Sequence, residues 1–263
     1  MKHLWTAWDD LKQDLSVKKK KLVFLDFDGT LVSIADSPGE VRMEPATRTV
    51  LKALSKDPNT RLAIVSGRPL KELRHFLPKG RIILIGNQGL EIHGRGMSLP
   101  AGAKEARRLA RLIHLLSQKF RIAFSSYPGT WIEDKHYTLS LHFRKLPRGQ
   151  GAMFSEMVRF YRNKYKKYPL DWTRGKKVIE IRPSVFWGKG DAVAHLMKKF
   201  PRMTPLAIGD DRVDEGMFKV LNRRGGISVR VGRSGSSSAA YFLSSPSDVR
   251  VLLNKLYPVK DTL

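Results

Sequence analysis

The sequence contains no cysteine, and this absence excludes several kinds of chemistry. A disulfide framework, a thiolate zinc site and a thiol nucleophile all need cysteine. No apolar run approaches the length that crosses a lipid bilayer. The amino terminus has neither the apolar stretch nor the small-residue cleavage site of a signal peptide. We therefore expect a cytoplasmic protein that does not enter a membrane.

Acidic residues are scarce: 24 Asp and Glu stand against 49 Lys and Arg, which gives a net charge of +25. Residues 161–168 interleave tyrosines with cations, as nucleic-acid-binding surfaces do. A plainer interpretation is an amphipathic helix, because four apolar residues fall at helical spacing and would face a core: Phe154, Val158, Tyr161 and Tyr165. We expect no specific nucleic-acid partner, and a positive field that speeds encounter with small anions.

The most informative segment follows residues 22–25, Leu-Val-Phe-Leu, which predict a short buried strand. Asp26 and Asp28 come directly after it, and Gly29 allows a sharp turn. At the carboxyl end of a parallel strand, such side chains project into the crevice where open α/β sheets bind ligands. Asp26 can then attack phosphorus, and Asp28 can exchange protons with the leaving oxygen and with water. Alternatively, the two carboxylates only open a turn.

Three further segments carry polar side chains after predicted buried strands or at a predicted helix start: Ser66, Lys189, and Asp210 with Asp211. A serine hydroxyl can donate to a phosphoryl oxygen. A lysine at a helix start opposes the helix dipole, which suggests that it neutralises phosphate instead. Asp210 converging with Asp26 would form the hard-oxygen site that Mg²⁺ prefers. Singly, each has an ordinary alternative: a loop opener, a solvated lysine and a helix cap.

In this order the segments resemble the haloacid dehalogenase superfamily and, within it, the trehalose-6-phosphate phosphatase family. The resemblance covers nearly the whole chain, from about residue 20 to about residue 257. It also rests on residues 37–38, 66–68, 86–91, 128–135, 141–144, 180–183 and 209–215. Two positions depart from the family pattern, which usually has His where Gln88 stands and Thr where Val213 stands.

The resemblance implies a Mg²⁺-dependent phosphomonoester hydrolase that releases trehalose and phosphate from trehalose 6-phosphate through an aspartyl-phosphate. It assigns the chemistry to Asp26, Asp28, Ser66 and Lys189. Mg²⁺ would be held by Asp26, Asp210 and the backbone carbonyl of Asp28, with Asp211 and Asp214 behind these ligands. The substrate-binding positions that it implies are Arg68, Asn87, Gly89, Glu133, Lys135, Arg144 and Glu180.

The pattern of predicted elements changes twice along the chain. Residues 1–98, after a polar lead-in helix over residues 1–18, alternate strands and helices as a parallel sheet requires, and residues 185–263 resume this alternation. Residues 99–184 combine two long helices with period-two segments, which predict an antiparallel sheet. The fold class is α/β, and the resemblance implies a Rossmann-like haloacid dehalogenase core with an inserted α/β cap domain.

In the predicted cap, Glu133 and Lys135 are two residues apart on a strand and share a face, whereas Asp134 points away. Glu180 and Arg182 repeat this geometry on another strand. Carboxylate and ammonium groups on one face suit sugar hydroxyls, which donate and accept hydrogen bonds. Cross-strand ion pairing is the alternative interpretation.

Two rival functions stay open at this point. One is a related phosphatase that acts on sucrose 6-phosphate, mannosyl-3-phosphoglycerate or glucosylglycerol phosphate. The other is a basic binding protein on an inactive phosphatase scaffold, although every catalytic position is filled. The expected partner is a small sugar phosphate, and the sequence does not decide whether a trehalose-phosphate synthase associates with the chain.

Overall fold

The computed structural model of the chain describes residues 1–17, 20–35, 40–98, 101–135, 138–184 and 187–257. The chain divides into two compact units. The core unit comprises Met1–Ser98 and Trp187–Leu263, and the cap unit comprises Leu99–Phe186. The Ser37-Pro38 segment of the family pattern lies outside the described residues.

The strands and helices are numbered along the chain. The strands are β1 (Lys2–His3), β2 (Lys21–Leu25), β3 (Thr60–Val65), β4 (Ile82–Gly86), β5 (Glu91–His93), β6 (Trp131–Asp134), β7 (Leu139–His142), β8 (Leu170–Arg174), β9 (Val178–Pro183), β10 (Thr204–Gly209), β11 (Ile227–Val231) and β12 (Tyr241–Leu243). The α-helices are α1 (Trp8–Val17), α2 (Pro45–Lys56), α3 (Leu70–Phe76), α4 (Ala101–Ala123), α5 (Gly151–Lys164), α6 (Lys189–Lys199), α7 (Glu215–Asn222) and α8 (Pro246–Leu256). Among the described helices, none is both long enough and apolar enough to span a membrane.

The described strands of the core unit form one eight-stranded sheet in the order β1-β12-β11-β10-β2-β3-β4-β5. Neighbouring strands run parallel, except that β5 pairs antiparallel with β4 at one edge. The prediction of an α/β fold with a parallel core sheet is therefore confirmed. Because β10, β2, β3 and β4 are adjacent and parallel, their carboxyl ends meet at one edge of the sheet.

The central strand β2 is buried on both faces because successive side chains point to opposite sides of a sheet. Val23 and Leu25 belong to a hydrophobic cluster that also includes residues of α2 and α8. Leu22 and Phe24 belong to a second cluster with residues of α6 and α7. The continuous apolar run is thus explained by helices that cover both faces of the sheet.

The amino-terminal segment differs from the single polar helix that the sequence predicted. The helix begins only at Trp8, while Lys2–His3 pair in parallel with β12 and extend the sheet by one strand. Leu4 is 1% exposed in the core, and the His3 ring packs edge-on against Phe242. These contacts with the distant β12 fix the segment, so a local polar pattern could not reveal the strand.

The cap unit has its own sheet and its own core. Four antiparallel strands lie in the order β6-β7-β9-β8. The cap core includes Phe120 of α4 and Phe154 of α5, which are 0% and 3% exposed. Tyr165 is buried and Tyr161 packs against the same cluster. The interpretation that Phe154, Val158, Tyr161 and Tyr165 face a core is therefore confirmed, although the helix that carries the first three ends at Lys164.

Candidate active site

Four polar residues follow the four adjacent strands whose ends share one edge of the core sheet. Asp26 follows β2, Ser66 follows β3, Asn87 follows β4 and Asp210 follows β10. Backbone hydrogen bonds continue the pairing past the strands, since Asp26 N–H donates to the Ile208 carbonyl at 2.9 Å. The sheet topology therefore gathers side chains that are widely separated in sequence.

Lys189 bridges two of the acidic residues at this edge. Its Nζ donates to Asp26 Oδ1 at 2.6 Å and to Asp214 Oδ1 at 2.8 Å. All three side chains are almost completely buried, with exposed fractions of 3%, 6% and 0% for Lys189, Asp26 and Asp214. Burial alone would lower the pKa of Lys189, but Asp214 and Asp26 raise it above its ordinary value. The lysine at the start of α6 is therefore a charged group inside the site.

Asp210 completes a cluster of three carboxylates. Asp26, Asp210 and Asp214 each offer an oxygen, and these oxygens lie within 4.8 Å of one another. Gly29 adopts φ +80°, and a Cβ at this position would overlap the Asp210 carboxylate. A Cβ on Gly209 would lie 2.5 Å from Asp214 Cγ. Both glycines are needed because the carboxylates lie directly against the backbone.

The charges of this cluster fit a divalent cation. With all three carboxylates ionised, the cluster and its one ammonium group would carry two negative charges in a largely buried site. Burial and the neighbouring Asp214 raise the pKa of Asp210 to about 6, which reflects this excess. Asp210 Oδ1 is buried and accepts no hydrogen bond from any described residue. Carboxylate oxygens of this kind are the ligands that Mg²⁺ prefers, so the residues present suit the metal.

The structure distinguishes Asp214 from Asp211, which the sequence had grouped together behind the metal. Asp214 Oδ2 accepts from the backbone N–H groups of Asp210 and Asp211, each at 3.0 Å, and so fixes the turn that carries Asp210. Asp211 is exposed, and its Oδ1 accepts from the N–H of Arg212 at 2.6 Å as a cap of its own turn. Asp214 is the carboxylate that supports the cluster.

Ser66 and the loop after β4 are held together by backbone hydrogen bonds. Gln88 N–H donates to the Ser66 carbonyl at 3.0 Å, and Asn87 N–H donates to the Arg68 carbonyl at 2.9 Å. The fully buried Ser66 Oγ accepts from the N–H of Arg68 at 3.0 Å. Because the hydroxyl accepts there, its single proton stays available to a further acceptor.

The Gly89 position of the same loop packs against the segment that leads into α6. Gly89 adopts φ +104°, and a Cβ there would lie 2.7 Å from the Gly188 carbonyl oxygen. The Gly89 carbonyl accepts from Trp187 Nε1 at 2.8 Å. These contacts bring the loop next to Lys189, and Trp187 is a supporting residue that the sequence analysis did not single out.

Arg68 contacts Asp28 rather than the carboxylate cluster. Its Nε and Nη2 donate to the two oxygens of Asp28, both at 2.7 Å, and its Nη1 donates to Glu72 Oε2 at 3.2 Å. The guanidinium also lies near two aromatic rings, 5.5 Å from the Phe27 centroid and 5.4 Å from the Phe76 centroid. The family resemblance assigns Arg68 to the substrate, and neither Glu72 nor Phe76 is among the residues that it implies.

In the cap unit, the predicted sugar-binding residues lie together on one face of the sheet. Glu133, Ser140 and Glu180 form one row across β6, β7 and β9. Lys135 Nζ lies 3.6 Å from both Glu133 Oε2 and Glu180 Oε1. Burial opposes ionisation of Glu133, yet the hydrogen bond from His142 and the charge of Lys135 lower its pKa below the ordinary value. The cluster offers both donors and acceptors.

Asp134 and His142 have supporting roles in this unit. Asp134 points to the opposite face, as the alternation predicted, where its Oδ2 accepts from Ser117 Oγ of α4 at 2.8 Å. His142 Nε2 lies 2.8 Å from Glu133 Oε2, and its ring stacks on Trp131 with centroids 3.8 Å apart. The register that pairs Trp131 with His142 was needed to find this stack. Arg144 is exposed, two residues beyond the end of β7.

Comparisons with known proteins indicate the family of the chain. The sequence model of the family described as Trehalose-phosphatase matches residues 24–247. The chain belongs to the trehalose-phosphatase family. It is 32% identical over 256 residues to Trehalose-phosphate phosphatase B of Arabidopsis thaliana, covering 90% of this chain and 66% of that protein. It is also 32% identical over 256 residues to Trehalose 6-phosphate phosphatase RA3 of Zea mays, covering 90% of this chain and 70% of the maize protein.

A solved structure of a related protein has the same fold. The C-terminal domain of the trehalose-6-phosphate phosphatase of C. albicans superposes with a TM-score of 0.80 at 24% identity, covering 95% of this chain and 96% of that one. The superposition shows that the two chains share a fold. The chain spans about two thirds of the length of the curated relatives it matches first, 66% for the Arabidopsis protein.

The different surroundings of Asp214 and Asp211 lead to different effects on stability. Asp214→Ala should lower the free energy of unfolding by about 3 kcal/mol or more, because the N–H groups of Asp210 and Asp211 lose their acceptor and the buried Lys189 loses one of its two carboxylate partners. Asp211→Ala should cost only about 1 kcal/mol, the loss of one exposed cap. Urea unfolding with a chelator present measures both variants. Equal losses would contradict the assignment of Asp214 as the supporting carboxylate.

Proposed function

We propose that this chain is a Mg²⁺-dependent phosphatase that hydrolyses trehalose 6-phosphate to trehalose and phosphate through an aspartyl-phosphate. The observation that carries the proposal is the buried cluster of Asp26, Asp210, Asp214 and Lys189 at the strand ends of a trehalose-phosphatase family member. A carboxylate, a cation site and an ammonium group are together what the transfer of a phosphoryl group needs.

Asp26 is the nucleophile in this proposal. One of its oxygens attacks phosphorus, a bond forms between Asp26 and phosphorus, and the bond between phosphorus and the sugar oxygen breaks. Burial raises the pKa of Asp26 well above its ordinary value, and the contact with Lys189 at 2.6 Å opposes this shift and orients the carboxylate. Thr30 Oγ1, 3.4 Å from the other Asp26 oxygen, limits its rotation further.

Asp28 moves the protons. It donates a proton to the sugar oxygen as this oxygen leaves, because the alkoxide of a sugar is a poor leaving group. It then takes a proton from the water that attacks the aspartyl-phosphate. The bond between Asp26 and phosphorus breaks in this second step, which releases phosphate and restores Asp26. Asp28 is 38% exposed at its side chain, so solvent can reach it.

Ser66 and Lys189 hold the phosphoryl oxygens. The Ser66 hydroxyl accepts from the Arg68 N–H and can donate its own proton to a phosphoryl oxygen. Two of the three N–H groups of Lys189 donate to Asp26 and Asp214 among the described residues, and the third suits a phosphoryl oxygen. These fixed donors favour the charge that develops during transfer.

Asp26, Asp210 and the backbone carbonyl of Asp28 would hold Mg²⁺, with Asp214 fixing the turn that carries Asp210. When bound, Mg²⁺ would offset the repulsion between the anionic nucleophile and the phosphate. Gly29 keeps the space against the Asp210 carboxylate clear, because any side chain there would displace it.

The cap residues Glu133, Lys135 and Glu180 would bind the sugar. The two carboxylates can accept hydrogen bonds from sugar hydroxyl groups, and the ammonium group can donate to hydroxyl oxygens. Lys135 Nζ lies 3.6 Å from an oxygen of each carboxylate, so the three side chains lie together. Arg144, Asn87 and Gly89, which the family resemblance also assigns to the substrate, stay predictions.

Replacement of the nucleophile is the first test. Asp26→Asn keeps the shape of the side chain but removes the attacking charge, so turnover of trehalose 6-phosphate should fall by at least about 10⁴-fold. Asp9→Asn changes an exposed aspartate of α1 and serves as the matched control, with wild-type activity expected. Phosphate release and circular dichroism are measured for both. Activity near the wild-type level in a folded Asp26→Asn protein would remove Asp26 as the nucleophile.

The substrate class needs its own experiment. Wild-type protein with Mg²⁺ is given equal concentrations of trehalose 6-phosphate, sucrose 6-phosphate, mannosyl-3-phosphoglycerate and glucosylglycerol phosphate. The highest kcat/KM is expected for trehalose 6-phosphate, and a chelator should abolish the reaction. A higher kcat/KM for another of the four would transfer the assignment to that substrate, and undiminished turnover with chelator would exclude the metal requirement.

A further inference from the structure

We propose that Arg68 is a positioning residue that aims the Asp28 carboxylate for proton transfer, and that it is not a substrate ligand. The inference rests on the proposed function, because it assigns Arg68 to the reaction through Asp28. The observations that carry it are the contacts of the guanidinium with Asp28, with Glu72 and with two aromatic rings, all of which belong to the core unit.

The pairing between Arg68 and Asp28 is bidentate. Nε donates to Oδ2 and Nη2 donates to Oδ1, both at 2.7 Å, across 40 residues of sequence. Two parallel hydrogen bonds of this length fix the carboxylate plane as well as its position. A lysine at this position could supply the positive charge but could not fix the plane of the carboxylate, since its ammonium group is a point charge on a flexible stem.

Other groups hold Arg68 itself. Nη1 donates to Glu72 Oε2 at 3.2 Å, at a spacing of four residues. The rings of Phe27 and Phe76 lie 5.5 and 5.4 Å from the centre of the guanidinium, within the range of cation–π attraction. Phe27 is fully buried and stands between Asp26 and Asp28 in the sequence. The same turn therefore carries the nucleophile, the aromatic ring beside Arg68 and the proton donor.

The low exposure of Arg68 limits its access to a ligand. Three of its five N–H donors are used by Asp28 and Glu72, two aromatic rings lie beside it, and its side chain is only 11% exposed. The side chain of Asp28 is 38% exposed, so the carboxylate is the accessible partner of the pair. The arrangement suits a buried support that presents an accessible acid.

The geometry also has a consequence for the reaction. Both oxygens of Asp28 accept from Arg68, so one oxygen has to give up its hydrogen bond before it can carry a proton to the leaving group. The hydrogen bond from Arg68 to the other Asp28 oxygen can hold the carboxylate in place during this step. Arg68 then limits the movement of Asp28 to a small rotation, and a misplaced acid would cost a large part of its effect.

The test compares two leaving groups. The leaving group of trehalose 6-phosphate is a sugar alkoxide, which needs a proton. The leaving group of p-nitrophenyl phosphate is a stable phenolate, which does not. Arg68→Met retains the apolar stem beside Phe27 and Phe76 but removes the hydrogen bonds. It should lower kcat/KM for trehalose 6-phosphate by about 10- to 100-fold and for p-nitrophenyl phosphate by less than about 3-fold. Arg74→Met, at an exposed arginine of α3, is the matched control and should change neither value.

Glu72→Gln provides a milder variant in case Arg68→Met does not fold. It weakens the anchor of Arg68 without touching Asp28, so it should lower kcat/KM for trehalose 6-phosphate by a few-fold in the same selective way. Binding is measured separately, by titrating trehalose 6-phosphate into the Asp26→Asn protein with and without Arg68→Met. The dissociation constant should agree within about 2-fold, because Arg68 does not contact the substrate.

Three results would overturn the inference: an equal loss for both phosphate esters, which indicates general damage; an unchanged or increased kcat/KM for trehalose 6-phosphate; or a dissociation constant weakened by about 10-fold or more, which indicates a substrate ligand. Failure of the proposed function is distinct, because wild-type protein would then not hydrolyse trehalose 6-phosphate. The comparison in that event uses whichever other sugar phosphate is hydrolysed. Hydrolysis of no phosphate ester at all would overturn both.

Discussion

The buried ion pairs of Lys189 with Asp26 and Asp214 are the interaction on which the site depends. Lys189 lies 163 residues from Asp26 in sequence, on the opposite side of the cap segment. The two pieces of the core unit are therefore joined at their most buried charges. A lysine in such surroundings has to be paired, because an unpaired buried charge is strongly destabilising. Lys189 donates one hydrogen bond to Asp214 and one to Asp26. The contact with Asp26 uses only one of its two carboxylate oxygens.

Crowding of like charges is the second constraint. Three carboxylates within 4.8 Å repel one another, and the raised pKa of Asp210, about 6, records this cost together with burial. A fold selected only for stability would not place them there. The glycines at 29 and 209 make the crowding possible because they leave the backbone uncovered beside the Asp210 and Asp214 carboxylates. The arrangement is understandable if a divalent cation and a phosphate belong in the same place.

The sequence predicted the strand ends well, for a physical reason. Apolar runs such as residues 22–25 have to be buried on both faces, and the polar residue that follows each run has to lie at an edge. Asp26, Ser66 and Asp210 were found in this way. The parallel core sheet and the antiparallel cap sheet followed from the same periodicities.

The remaining features depend on contacts that no local pattern encodes. Asp211 and Asp214 look equivalent in sequence, and only the turn between them decides which one is buried. The partner of Arg68 lies 40 residues away, although the spacing of Arg68 and Glu72 was a signal that could have been noticed. The stack of Trp131 on His142 needed the strand register, and the β1 strand needed its partner β12.

The most direct test of whether Asp26 and Asp210 share one divalent cation is an anomalous-scattering experiment on crystals of the protein soaked with Mn²⁺, which substitutes for Mg²⁺ at oxygen sites. We expect one strong peak in bonding contact with carboxylate oxygens of both Asp26 and Asp210. A strong peak that touches only one of them, or no peak at this edge of the sheet at saturating Mn²⁺, would contradict it.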